Sequence, residues 1–248
     1  MKFLFFIFFI SSYAYSQFNL IDENGLKQGD WVLFYPYNQS DSIVSEKGVF
    51  VDDLEDGLWI KYHKNGKIRE IVNYLKGDLH GLRLLITKHG KLKEQENFIN
   101  GKYDGLQMYF HDNGKPSTTI TYLNGVKDGP LIKYYSNGKT QEKSYYLNDK
   151  KEGISTWYFD NEQISLQYNY LAGMIIDTAY VYYKDGFLKS KYSYIQNEMH
   201  GEKITYYKSG VIQETGSFLN DKKVGFWCKY DTVGVEIECV EYKKGIKQ

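Results

Sequence analysis

The chain has 248 residues, and its 31 Lys and Arg are balanced by 31 Asp and Glu. A formal charge of zero supplies no chain-wide field to draw in nucleic acid or an anionic membrane, and no basic stripe marks a nucleic-acid binder. With 25 Tyr, 23 Gly and only 3 Pro, the composition favours pleated strands joined by turns.

The N-terminus reads as a secretory signal peptide over residues 1–16. Met1-Lys2 supplies the basic start, residues 3–10 a short apolar run, and Ala14-Tyr15-Ser16 the small-residue cleavage site. A membrane anchor would need about 20 apolar residues. Cleavage after Ser16 leaves residues 17–28 as a lead-in and places the mature chain in the periplasm or outside the cell.

Glycines then recur on a 24-residue grid: Gly57, Gly81, Gly105, Gly129, Gly153, Gly201 and Gly225, with Asp177 in the remaining place. From Gly57 to Gln248 this gives eight repeats without insertion. A ninth unit upstream starts near Gly29 and is four residues longer, its excess falling at residues 38–42. We number positions from the grid glycine as 0. Position 17 is aromatic in all eight repeats, and position 5 reads Tyr62, Ile86, Phe110, Tyr134, Tyr158, Tyr182, Tyr206 and Tyr230.

Each repeat has two turn signals. Asn-Gly or a relative at positions 8 and 9, as in Asn65-Gly66 and Asn113-Gly114, suits a two-residue hairpin turn. A looser stretch such as residues 100–104 precedes the next grid glycine. The segments between have strand length. The expected fold is all-β: an elongated, single-layer antiparallel meander of tandem 24-residue β-hairpin repeats spanning 29–248, with about eighteen strands.

A two-residue turn at positions 8 and 9 pairs residues whose positions sum to 17. That register sets Lys61 opposite Glu70, Lys133 opposite Glu142 and Lys229 opposite Glu238, with Thr205 opposite Glu214 a weaker match. It pairs positions 0 and 17, so each grid glycine is expected beneath an aromatic ring, and Gly105→Val should clash with Phe98 or Tyr122. It also sets Cys228 opposite Cys239, as a hydrogen-bonded pair about 5.5 Å apart. Export favours a disulfide there; two reduced, packed cysteines are the alternative.

Chemistry of the catalytic kind is hard to build from these residues. His63 and His111 share position 6, and His80 and His200 share position 23, so like residues stand roughly 10 Å apart per repeat. The acids Asp56, Asp104, Asp128 and Glu152 share position 23; they read as turn residues, since one acid per repeat cannot build a calcium cage. No phosphate loop, zinc-protease or nucleophile-elbow motif is present. The expectation is no enzyme, no cofactor and no metal site.

The pattern G-x-W-x-x-Y-x-x-N-G-K followed by Y-x-N-G, clearest from Gly57 to Lys67 and from Gly129 to Asn148, resembles the bacterial variant of the MORN repeat. The resemblance covers 29–248 and is similar to proteins of the YwqK-type antitoxin family; it implies a β-hairpin rod with a binding role. The sequence departs from it at Lys88-His89-Gly90, at Glu162 and at Asp177, and among the eight exact repeats only Trp59 and Trp227 keep the Trp. Tyr pairs such as Tyr134-Tyr135 faintly echo cell-wall choline-binding repeats, whose period is nearer 20.

Alternate residues of a strand share a face, so one aromatic row lies on each face. Stacking along the rod would consume both rows. The alternative leaves Tyr62, Phe110, Tyr134, Tyr158, Tyr182, Tyr206 and Tyr230 as a binding surface. The leading function is a scaffold for a protein partner. A carbohydrate or cell-wall binder and an antitoxin-like or immunity inhibitor are the alternatives.

Overall fold

The computed structural model describes residues 18–36 and 43–248. The expected signal peptide and the extra residues 38–42 of the first unit lie outside them. Among the described residues there are 22 strands, all antiparallel, in one sheet. Eighteen correspond to the two strands of each of nine units. Short pairings at Leu20–Ile21 and Ile246–Lys247 add two, and breaks at Asp104 and Glu152 split two more, leaving the fragments Lys102–Tyr103 and Lys150–Lys151.

The hairpin register has the expected sum over most of its length. Gly57 faces Tyr74, Lys61 faces Glu70, and Cys228 faces Cys239. The turns, however, are exchanged relative to expectation. At the Asn-Gly signal the His63 amide donates to Lys67 O and the Gly66 amide to His63 O, both at 2.8 Å. Gly66 alone is left-handed there, at φ +78, while Asn65 is not. That is a three-residue loop with a glycine bulge, and it pairs Tyr62 with Ile68, a sum of 16. A second bulge between Lys61 and Tyr62 restores 17. The two-residue turn sits instead at positions 19 and 20, where both residues are left-handed: Asn148 and Asp149 at φ 48 and 64, Gln196 and Asn197 at 50 and 74.

Two further corrections follow. A β-carbon at Gly105 would meet nothing nearer than Asn97 Cβ at 3.9 Å, so no ring covers the grid glycine on that side. The position needs φ near +87, which Asp177 supplies in its own repeat at φ 60. The bulges also invert the alternation of bonded pairs, so the two cysteines form a narrow, non-hydrogen-bonded pair with Cα atoms 4.0 Å apart.

Positions 2 and 15 alternate down the centre of one face and form its core. Trp59 faces Val72, Val72 faces Arg83, Arg83 faces Glu96, and Ile120 faces Leu131. Trp59, Val72, Gln107, Ser155 and Ala179 are at most 1% exposed, so these members of the line are closed to water. Sizes are matched across it: Trp59 lies over Gly48, and Trp227 over Gly216. Both indoles donate to a position-16 carbonyl, Val49 O at 3.0 Å and Ser217 O at 3.2 Å, and Gln107 makes the equivalent bond to Asn97 O at 3.0 Å.

The position-17 aromatics flank this line. Trp31, Phe50, Trp59 and Tyr74 follow one another edge to face, as do Phe218, Trp227 and Tyr242. The core also holds charges, each with partners. Arg83 bridges Glu70 at 2.6 Å and Glu96 at 2.8 Å, and Glu142 receives Lys133 and Lys151 at 2.9 Å each.

Candidate interaction surface

The opposite face carries the position-5 side chains. Lys47 and Lys143, both at position 14, lie 5.8 and 5.9 Å from the Tyr62 and Tyr158 rings, and Tyr182 OH is 3.4 Å from Gln167 Oε1 at the same position. Tyr62, Phe110, Tyr134, Tyr158, Tyr182, Tyr206 and Tyr230 are all half-buried. Among the described residues none of these seven takes part in a ring–ring pair; the stacking belongs to the other face.

Position 6 fixes this row from behind. Tyr35 OH donates to Tyr62 O; Tyr135, Tyr183 and Tyr207 donate to Tyr158 O, Tyr206 O and Tyr230 O at 2.6, 2.8 and 2.8 Å. His63 and His111 occupy the same rung, with Nε2 2.8 Å from Ile86 O and 2.9 Å from Tyr134 O. The carbonyl of most row members is thereby tied to the preceding repeat. Asparagines stitch the turns beside it: Asn113 Nδ2 donates to Ser136 O at 2.6 Å and Asn161 Nδ2 to Lys184 O at 2.7 Å.

The acids at position 23 hold the other edge. Asp56, Asp104, Asp128 and Glu152 accept from the amides of Lys76, Asn124, Asn148 and Ala172 at 3.1, 2.9, 3.4 and 2.8 Å. They stand at least one repeat apart, with His80 in the place between Asp56 and Asp104, and each caps a left-handed turn. Among the described residues one cluster of metal-ligating groups stands close together, Cys228, Glu236 and Cys239, and its two sulfurs are joined in a disulfide.

The sequence reading missed a second row on the same face. Position 18 reads Val51, Leu75, Ile99, Leu123, Leu147, Leu171, Ile195 and Leu219, each between 45% and 53% exposed; the last repeat breaks the row with Lys243. Exposed Leu58, Leu106 and Ile154 at position 1 lie beside it. An aromatic rail thus runs along one edge and an aliphatic rail along the other, about 20 Å apart at the rise of a strand. The row was visible on the grid, but an aliphatic at a strand end reads as core until the burial is known.

Five of these repeats match the MORN repeat variant. The matched segments are 55–76, 103–124, 127–148, 151–172 and 199–220. Repeats 57, 105, 129, 153 and 201 therefore match, whereas units 29, 81, 177 and 225 do not; 153 matches despite Glu162. Over these segments the chain is similar to the MORN repeat variant. A comparison with curated proteins finds no match.

Among solved structures, a porin-like protein from Bacteroides uniformis ATCC 8492 is 11% identical, over 72% of this chain and 87% of that one, with a TM-score of 0.21. A chain of the TcdB2-TccC3-Cdc42 complex is 9% identical over 91% of this chain and 19% of its own length, with a TM-score of 0.18. Likenesses this slight carry no argument. No helix of the described residues is long and apolar enough to cross a membrane.

Proposed function

We propose that the chain is an exported, non-enzymatic scaffold that binds a protein partner along the face bearing the two rails. The observation that supports it best is the division of labour between aromatic rows. The position-17 rings stack into the core, while the position-5 rings stand singly, half-exposed, on carbonyls fixed by position 6. A rigid ring with a polar hydroxyl gives contact area at low entropic cost. Of the side chains that invited a catalytic or metal reading, His63 and His111 are committed to carbonyls and the position-23 acids to amides.

Crosslinking in the native envelope tests this. The combined variant Tyr134→Ala, Tyr158→Ala, Tyr182→Ala should keep its circular dichroism and lose the partner that the wild type captures. An unchanged set of partners would overturn the reading. Retention on peptidoglycan that falls with the same variant would assign the rail to sugars instead. Export is read by N-terminal sequencing of the secreted chain, which should begin at Gln17.

A further inference from the structure

The chain is neutral overall, but its charge is not evenly spread. Residues 63–69 and 87–93 form the neighbouring turns of repeats 57 and 81. They carry Lys64, Lys67, Arg69, Lys88, Lys91 and Lys93 and no carboxylate. The turns touch, Asn65 Nδ2 donating to Lys88 O at 3.3 Å. Among the described residues the one carboxylate that pairs with any of the six is Glu94, 3.0 Å from Lys93. Lys91 is held by a neutral acceptor, the Asp112 carbonyl, and Lys64 lies 5.9 Å from the Tyr35 ring.

A cavity of about 620 Å³ opens beside the first of these turns. Val32, Ile43 and Val44 give it an aliphatic wall, and Lys47, Lys64 and Tyr62 stand around it. Tyr62 is also the first ring of the aromatic rail, so cavity, rail and basic turns meet at one corner of the same face.

We propose that this corner docks an acidic peptide segment of a protein partner, its carboxylates on the lysine turns and a bulky apolar side chain in the cavity. The proposal rests on the protein-scaffold reading, and deepens it by naming the chemistry of the partner. Charge complementarity selects an anion. The aliphatic wall selects one with an apolar anchor, as pockets with few polar groups do. The extent of the patch selects a short segment over a nucleic acid. It spans two turns roughly 10 Å apart. It then stops, since Asp112 offsets Lys115 in the next turn and repeat 153 presents Asp160 and Glu162. A nucleic-acid strand would want a longer basic track.

The test uses the full chain and a fluorescein-labelled decapeptide of six Glu, two Phe and two Ser, read by anisotropy. The peptide should bind at 50 mM NaCl and weaken at least ~tenfold by 300 mM, as screened charge pairs do. Lys64→Glu with Lys88→Glu should weaken it at least ~tenfold while leaving the thermal midpoint in place, because both side chains are exposed. Lys184→Glu with Lys208→Glu, on equivalent turns elsewhere, should change nothing. Val44→Asn should weaken the Phe-containing peptide and leave an all-Glu/Ser peptide unaffected. If the double variant does not fold, Lys67→Glu alone carries the same expectation to a smaller degree. No binding at 50 mM NaCl, or binding indifferent to these turns, would overturn the proposal. So would a single-stranded oligodeoxynucleotide that binds more tightly with the same dependence. A native partner that still crosslinks to Lys64→Glu/Lys88→Glu and is lost from the tyrosine variant would sink this inference and leave the scaffold reading standing.

Discussion

A β-carbon added at Gly48 would stand 2.2 Å from the Trp59 ring, and one at Gly216 as close to Trp227. The backbone there is not left-handed, so the demand for glycine is purely one of space. Gly48→Ala should therefore cost about 2–3 kcal/mol, as overpacking does. Gly105→Ala has room at 3.9 Å and pays for φ +87 alone, about 1–2 kcal/mol. Thermal unfolding of the two variants checks the order; Gly48→Ala as stable as wild type would show that the indole does not cover that backbone. A different balance operates at Glu142. Burial pushes its carboxyl up, but hydrogen bonds from Lys151, Lys133 and Ser144 outweigh burial and hold it at about 2, below its usual 4.5. A carboxyl depressed by folding stabilises the fold fully above the unfolded value and loses that contribution as pH falls toward the folded one. Glu142→Gln should thus cost about 3 kcal/mol at pH 7, by the free energy of the shift, and little near pH 2. Denaturant midpoints at the two pH values measure this, and an equal loss at both would refute it.

At the scale of the hairpin, the register was legible and the turn was not, for one physical reason. Asn-Gly satisfies a two-residue turn in which both residues are left-handed, and equally a three-residue loop in which only the glycine is. Gly66 alone adopts that region at the first turn, whereas Asn124 and Gly125 both do at the second, at φ 51 and 88. The glycine bulge shifts the pairing by one residue and the bulge that follows shifts it back, so Lys61 still meets Glu70 and Lys133 still meets Glu142. What could not survive was the alternation of wide and narrow pairs, which counts outward from the turn. The change bears directly on Cys228 and Cys239. In the narrow pair their side chains approach closely, and the structure joins them 11 residues apart in sequence. Non-reducing mass spectrometry of the purified chain should find the Cys228–Cys239 crosslinked peptide. Replacing both by Ser should cost about 2–3 kcal/mol on the chain-entropy account of so short a loop. Two free thiols would contradict the bond.

Across the whole molecule, contacts are nearly one-dimensional: each unit packs on the units before and after it. That is the regime in which stability is a sum of repeats and interfaces. It also explains which aromatics could be assigned from sequence. The grid shows that positions 5 and 17 lie on opposite faces, but in a single layer either face could be the covered one. The decision rests with positions 2 and 15, where Trp59, Val72, Ile120 and Leu131 share their line with Glu96, Gln107 and Ser155. A third of that line is polar, so no hydrophobic period announces it, and the bulges in each hairpin add to the coiling of the sheet around it. The same coiling governs the dimension most easily measured. Eighteen strands at the usual spacing give a rod of roughly 85 Å, shortened by coiling. Such a rod has a radius of gyration of about 25 Å, against about 18 Å for a compact domain of this length. Small-angle scattering should return the larger value, with a pair-distance distribution skewed toward long vectors. Deleting one exact 24-residue repeat, residues 105–128, should shorten the maximum dimension by roughly 10 Å and leave the rest folded, because the flanking units present equivalent strands to each other. A symmetric distribution near 18 Å, or global unfolding of the deletion variant, would mean that the sheet closes on itself through contacts beyond its neighbours, and that the two rails do not run along an open face.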